Sequence, residues 1–159
     1  MVDAMEGGCD CGLVRYRLAG APIFVNCCHC RDCQRSSGSA FAVNAMIEAD
    51  RVHLLGNEAP RFEIDPGEGT EEQGTARCPA CGTKLWATHR FFGAAIRFIH
   101  AGTLDAAEAL VPNAHFFTRS KHGWVALPED VPAFETLPGE GETLFDEAAR
   151  SRLAAALGR

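Results

Sequence analysis

The chain has 159 residues, 47% hydrophobic and 23% charged, with a formal net charge of −6. That length supports one ordinary domain burying roughly 70% of its unfolded surface, and the apolar fraction excludes a disordered chain. Its acidity speaks against a nucleic-acid partner, and apolar runs such as Ala40–Val43 and Phe91–Ile96 fall far short of the ~18–20 residues of a membrane span.

The N-terminus, Met-Val-Asp-Ala-Met-Glu-Gly-Gly-Cys-Asp, carries no apolar export core, so a cytoplasmic protein with reduced thiols is expected. Arg15–Leu18 and Arg61–Ile64 alternate polar and apolar residues and read as half-buried strands. Ile23–Val25, Phe41–Ile47, Val52–Leu55, Lys84–Ala87, Ala94–Ile99 and His115–Thr118 are also strand-like. Turns are expected at Gly20–Pro22 and Gly56–Pro60, and a solvated acidic hairpin loop at Asp65–Gly74. A short turn or helix should follow Cys33, and another should occupy Leu104–Leu110. Residues Leu127–Gly141 read as a surface strap. A C-terminal helix should start with a box-like cap at Thr143–Asp146 and run to Leu157, with Leu144, Phe145, Ala148, Ala149, Leu153, Ala156 and Leu157 on one face. Many short strands and few helices give a mainly β fold with antiparallel sheets. One domain, residues 7–139, with a helical appendage at 140–159 and no second core, is expected.

Eight cysteines stand out. In a reducing compartment, clustered cysteines point to metal or redox chemistry, and neighbours this close are strained as disulfide partners. Cys9-x-Cys11 and Cys78-x-x-Cys81 each present two thiols on a tight turn, with Gly12 and Gly82 giving the backbone room. Together they suit a four-thiolate structural zinc; buried free thiols are the alternative. Cys28-x-Cys30-x-x-Cys33 offers three thiolates on one turn, the number that leaves a catalytic zinc an open position. Cys27 or His29 could close that site, although alternate residues of an extended segment point away from each other. A metal-free thiol cluster is the third possibility.

Further residues extend the pattern: Gly-Cys-x-Cys-Gly, Cys28-His29-Cys30-x-x-Cys33 followed by Ser-Gly, Cys78-x-x-Cys81-Gly-Thr, Ala-Gly-Thr-Leu-Asp105, Pro112-Asn-Ala-His115, Ser120-Lys121, Trp124 and Leu127-Pro128. In this order they resemble the glutathione-dependent formaldehyde-activating enzyme family, also called the centromere-protein-V type domain, from about Gly7 to Leu137. The resemblance implies a tent-like, zinc-braced arrangement of antiparallel sheets. It implies two zinc ions per chain, a structural one on Cys9, Cys11, Cys78 and Cys81 and a catalytic one on Cys28, Cys30 and Cys33. The implied reaction is that of a carbon–sulfur lyase run in the synthetic direction, joining glutathione to formaldehyde as S-hydroxymethylglutathione. Two residues depart from the pattern: Cys27 is an additional thiol, and Arg77 stands where an aromatic is usual.

For that chemistry, Arg31 and Arg35 are candidates to pair with the carboxylates of a thiol substrate such as glutathione, and Ser36 to aim a hydroxyl at it; exposed charges and a helix cap are the competing readings. His115 is a candidate proton relay or a structural histidine. Trp86 and Trp124 should be core or pocket wall. The partner expected is a small-molecule thiol, with no nucleic acid or membrane; the terminal helix could serve a homodimer. Two other readings remain open, a zinc-stabilised interaction module and a thiol redox enzyme of the methionine sulfoxide reductase type.

Overall fold

The computed structural model describes residues 4–65, 73–139 and 143–159. Its strands are β1 (Met5–Gly8), β2 (Arg15–Leu18), β3 (Phe24–Cys28), β4 (Ala42–Glu48), β5 (Val52–Leu54), β6 (Arg61–Ile64), β7 (Gly74–Arg77), β8 (Lys84–His89), β9 (Gly93–His100) and β10 (Ala114–Phe116). Two α-helices join them among the described residues, α1 (Arg31–Ser37) and α2 (Glu147–Ala156). One sheet has the order β1-β2-β5 and the other β10-β3-β4-β9-β8-β7-β6.

The fold is mainly β, as expected, and most ladders are antiparallel. The difference is β10, which lies parallel to β3, with Ala114, His115 and Phe116 beside Asn26, Cys27 and Cys28. A parallel neighbour needs a long crossover, and the chain between β9 and β10 provides it through 3-10 turns at Ala101–Thr103 and Ala107–Ala109. Of the short turn or helix expected at Leu104–Leu110, the 3-10 turn at Ala107–Ala109 forms. Before it, the Asp105 N–H donates to the Glu6 carbonyl at 2.9 Å, and Leu104 bridges to Gly7, tying the segment to β1.

The large sheet is covered on both faces. Tyr16, Leu18 and Val52 of the small sheet pack with Val25, Ala45, Ile47, Leu85, Trp86 and Ile99 of the large one. Trp86 sits edge-on to Tyr16 at 5.7 Å, in the core as expected. A second cluster, contrary to the single core expected, gathers Phe24, Met46, Ile96 and Ala114 under Leu144, Phe145, Ala149, Leu153 and Ala156. The cause is strand alternation: Phe24 and Val25, or Ala45 and Met46, serve opposite faces, which is why β3 and β4 read as continuous apolar runs. Trp124 lies outside both clusters, exposed and stacked on His122 at 6.0 Å.

The terminal helix begins later than Thr143 because Asp146 is its cap, accepting from the Ala149 N–H at 2.7 Å. Ala148, assigned to the buried face, is exposed. The loop expected at Asp65–Gly74 falls mostly outside the described residues; its flanks, β6 and β7, pair as a hairpin would require. The strap does not simply lie on the surface. Its residues bond to β10, with His115 N–H donating to the Pro132 carbonyl at 2.8 Å and Phe134 N–H to that of His115 at 2.9 Å.

Helix α2 is held by charge as well as by packing. Arg152 Nε donates to Glu48 Oε1 at 2.7 Å, and Nη1 to the Ala21 carbonyl at 3.0 Å. Burial alone would raise the Glu48 pKa, but the hydrogen bond from Arg152, a backbone hydrogen bond and the charges of Arg152 and Arg51 together outweigh it and hold the carboxyl below its ordinary 4.5. Truncating Arg152 to Ala leaves the buried carboxylate with only the more exposed Arg51, 3.5 Å away, and should cost about 2–3 kcal/mol, less than breaking a fully buried pair. Since the folded-state pKa is depressed, the contribution is complete above pH 4.5 and is lost as the pH falls below it. Chemical denaturation of wild type and Arg152→Ala should therefore give curves that differ at pH 7 and converge in acid.

Candidate metal centres

Three groups of thiols and imidazoles come together among the described residues: Cys9, Cys11, Cys78 and Cys81; Cys28, Cys30 and Cys33; and Cys27, His29 and His115. Within each, the donor atoms all lie within 4.8 Å of one another.

The first group is built by two matching turns. After β1, the Gly12 N–H closes on the Cys9 carbonyl at 3.1 Å; after β7, the Gly82 N–H closes on the Cys78 carbonyl at 3.0 Å. Gly12 (φ 79°) and Gly82 (φ 74°) occupy the left-handed conformation that such turns require. Cys9 Sγ lies 3.5 Å from Cys11 Sγ, which lies 3.7 Å from Cys78 Sγ. A tetrahedral zinc with Zn–S near 2.3 Å sets sulfur–sulfur edges of about 3.8 Å, so the donors fit the ion. The thiols also compete for charge. A hydrogen bond with Thr83 lowers Cys81 to about 5. At Cys11 a backbone N–H favours the thiolate, but Cys9 and Cys81 outweigh it and push the thiol up to about 12. A cation resolves that conflict.

The second group sits where β3 runs into α1. Cys30 caps the helix, its sulfur accepting from the Cys33 N–H at 3.3 Å and from the Cys28 thiol at 3.4 Å. Those bonds pull Cys30 down to about 2, while Cys28, as its donor, rises to about 12 and Cys33 rises too. The helix starts at Arg31, so Cys33 lies inside it and not before it. Among the described residues no fourth His, Cys, Asp or Glu joins this group.

The third group explains why. Cys27 and His29 alternate with Cys28 and Cys30 and so leave the strand on the other side. There they meet His115, the neighbour of Cys27 in β10. His29 Nε2 lies 3.6 Å from Cys27 Sγ and 3.0 Å from His115 Nδ1. Burial pushes Cys27 up to about 12 and both imidazoles down, His29 further because His115 and Lys121 are close. Gln34 fixes the turn, donating to the carbonyls of His29 (2.8 Å) and Ser120 (2.9 Å).

Beside the second group is a cavity of about 350 Å³ whose lining includes Ser36, Ser37, Phe41, Thr83, Lys84 and His100. Lys84 Nζ donates to Ser36 Oγ at 3.4 Å. Burial lowers the Lys84 pKa against the pull of Cys33, and burial with Lys84 lowers His100 to about 3. Ser36 is thus on the cavity wall. Arg31 is turned to Gln34 Oε1, and Arg35 is exposed 3.8 Å from Asp32. His115 is with His29, across β3 from the three cysteines. Lys84 and His100 were missed by sequence reasoning. The available signal was scarcity: the chain has two lysines, and each faces one of the smaller clusters.

A sequence model of the family described as glutathione-dependent formaldehyde-activating enzyme matches residues 4–120. A Halomonas elongata protein carrying that same name as a provisional assignment is 27% identical over 129 residues, spanning 77% of this chain and 80% of its own. A solved Rhodobacter sphaeroides protein shares the fold, with a TM-score of 0.51 at 21% identity, over 68% of this chain and 98% of that one.

Stripping metal with a chelator at neutral pH should lower the melting temperature by more than ~10 °C, since a structural zinc supplies on the order of 10 kcal/mol of folding free energy. Cys78→Ser should reproduce that loss and Cys33→Ser should not, as read by thermal unfolding with metal analysis.

Proposed function

The chain belongs to the glutathione-dependent formaldehyde-activating enzyme family, and on that premise we propose that it is a carbon–sulfur lyase of that type, acting at Cys28, Cys30 and Cys33. The reaction adds a small thiol, glutathione or a relative, to formaldehyde. The thiol loses its proton, the S–C bond forms, and the carbonyl oxygen takes up a proton to give the S-hydroxymethyl adduct; the reverse cleaves the bond. The observation that carries this reading is a three-cysteine group that no fourth protein donor joins among the described residues, with a cavity nearby whose wall carries Lys84, Ser36 and His100.

A zinc ion held by these three cysteines supplies a Lewis acid that makes a thiol acidic at neutral pH. The protein's own residues do the rest. Lys84, within electrostatic reach of Cys33 and Cys30, draws in a carboxylate-bearing thiol and places its carboxylate along α1, where Ser36 adds a hydroxyl. His100, neutral at physiological pH, offers a hydrogen bond to the adduct's hydroxyl without adding charge. This assigns substrate anchoring to Lys84 in place of Arg31 and Arg35. The four-cysteine group is a structural zinc site, giving two zinc ions per chain. Activity resides in residues 7–139, with 140–159 an appendage covering the second core.

The test is exchange of formaldehyde with glutathione, followed by NMR as magnetisation transfer between free and S-hydroxymethyl forms. Cys33→Ala should reduce the catalysed rate at least ~100-fold while keeping one zinc and the fold. Lys84→Met should raise KM for glutathione ~10-fold, the loss of one charge-assisted contact, with little change for cysteamine, which has no carboxylate. An undiminished rate in Cys33→Ala protein holding one zinc would sink the reading and favour an interaction module.

A further inference from the structure

The cluster of Cys27, His29 and His115 is not used by the reaction proposed above. Its members are among the most buried polar groups of the protein, with His29 at 0%, Cys27 at 2% and His115 at 7% exposure. Hydrogen bonding within it is incomplete. His29 Nε2 faces both Cys27 Sγ at 3.6 Å and His115 Nδ1 at 3.0 Å. If Nε2 is the acceptor, the thiol and the His115 N–H compete for one lone pair; if it is the donor, the thiol proton is left without an imidazole acceptor.

We propose that Cys27, His29 and His115 form a third metal site, for a monovalent soft cation of the copper(I) type. One ion accepts lone pairs from all three groups at once. At metal–nitrogen distances of ~2.0–2.1 Å and metal–sulfur of ~2.3 Å, trigonal or tetrahedral angles require donor separations of roughly 3.3–3.6 Å for N–N and 3.6–3.8 Å for N–S. The Cys27–His29 separation already meets this, His115 lies within 4.8 Å of both, and the imidazoles must part by a few tenths of an ångström. Strand register preforms the site: Cys27 and His29 share one side of the segment, and β10 lays His115 beside Cys27.

Charge selects the ion. A thiolate with two neutral imidazoles and a monovalent cation is neutral overall, and the thiol proton leaves to solvent on binding. A divalent ion would leave a buried positive charge, with Lys121 close enough to disfavour it. Thiolate and imidazole donors suit copper(I), and the ring of Phe41, 5.4 Å from that of His29, shields the ion from water. The sequence signal is Cys27, the thiol that departs from the family pattern.

The test titrates zinc-loaded, full-length protein with copper(I) under anaerobic conditions against a chromophoric copper(I) chelator, following zinc release with a second chelator. The first equivalent should bind without expelling zinc and shift the NMR resonances of His29 and His115. Cys27→Ala and His115→Gln should each weaken that equivalent at least ~100-fold, and Cys33→Ala should leave it unchanged. Two variants and the wild-type histidine spectrum keep the test decisive if one substitution impairs folding. Release of zinc by the first equivalent, indifference to both substitutions, loss in Cys33→Ala, or a third zinc taken up in place of copper would each overturn the proposal.

Discussion

Every residue of β3 from Phe24 to Cys28 is buried, and that constraint organises the molecule. A strand in the interior of a sheet must send alternate side chains to opposite faces, so both faces need cover. The small sheet supplies one, and α2 with the aromatic residues around it supplies the other. The same alternation continues past the end of the strand through His29 and Cys30. It divides five chemically similar donors within seven residues into two groups that do not share an ion. Crowding the cysteines into one run of sequence thus produces separate sites, provided that backbone stays extended.

Much of the four-cysteine centre was legible in the sequence because its two turns are local. The Cys-x-Cys and Cys-x-x-Cys spacings, each with a following glycine, determine the backbone of their turns without help from elsewhere. Strands β2 and β6 were legible for the same reason, since alternation over four residues needs no distant partner. What could not be read was set by long-range pairing. Strand β10 lies parallel to β3 only because the chain before it is tied down to β1, a contact between Glu6 and Asp105 that no local pattern encodes. The placement of His115 beside Cys27 follows from that return. Arg31 and Arg35 looked like anion anchors by sequence proximity to the cysteines, but a helix beginning at Arg31 leaves Arg35 on its exposed face and turns Arg31 to Gln34.

Charge distribution sharpens the contrast between the centres. A divalent ion in four thiolates leaves two negative charges and one in three thiolates leaves one, so ions in both groups would make the protein more acidic than its formal −6. Lys84, within electrostatic reach of Cys33 and Cys30, would offset the second centre locally, and in the proposed reaction this is what draws an acidic thiol to the cavity in spite of the acidic surroundings. At the third cluster the nearby cation is Lys121, which acts on His29.

The structural centre and the cavity are mechanically one unit. The turn that carries Cys78 and Cys81 closes by a hydrogen bond from the Cys78 N–H to the Thr83 carbonyl at 3.0 Å, and Lys84 is the next residue. The Thr83 hydroxyl contacts Cys81 Sγ at 3.1 Å and accepts from the Asp10 N–H at 3.3 Å, joining the two turns that hold the ion. Lys84 therefore enters β8 from a point fixed by four sulfurs, and its ammonium reaches Ser36 on α1 from there. A zinc held by the four cysteines, outside the proposed reaction, would thus still determine where the carboxylate of the proposed thiol substrate could sit. A flexible loop in its place would spread the lysine over many rotamers, and the ordering entropy would be charged to each binding event.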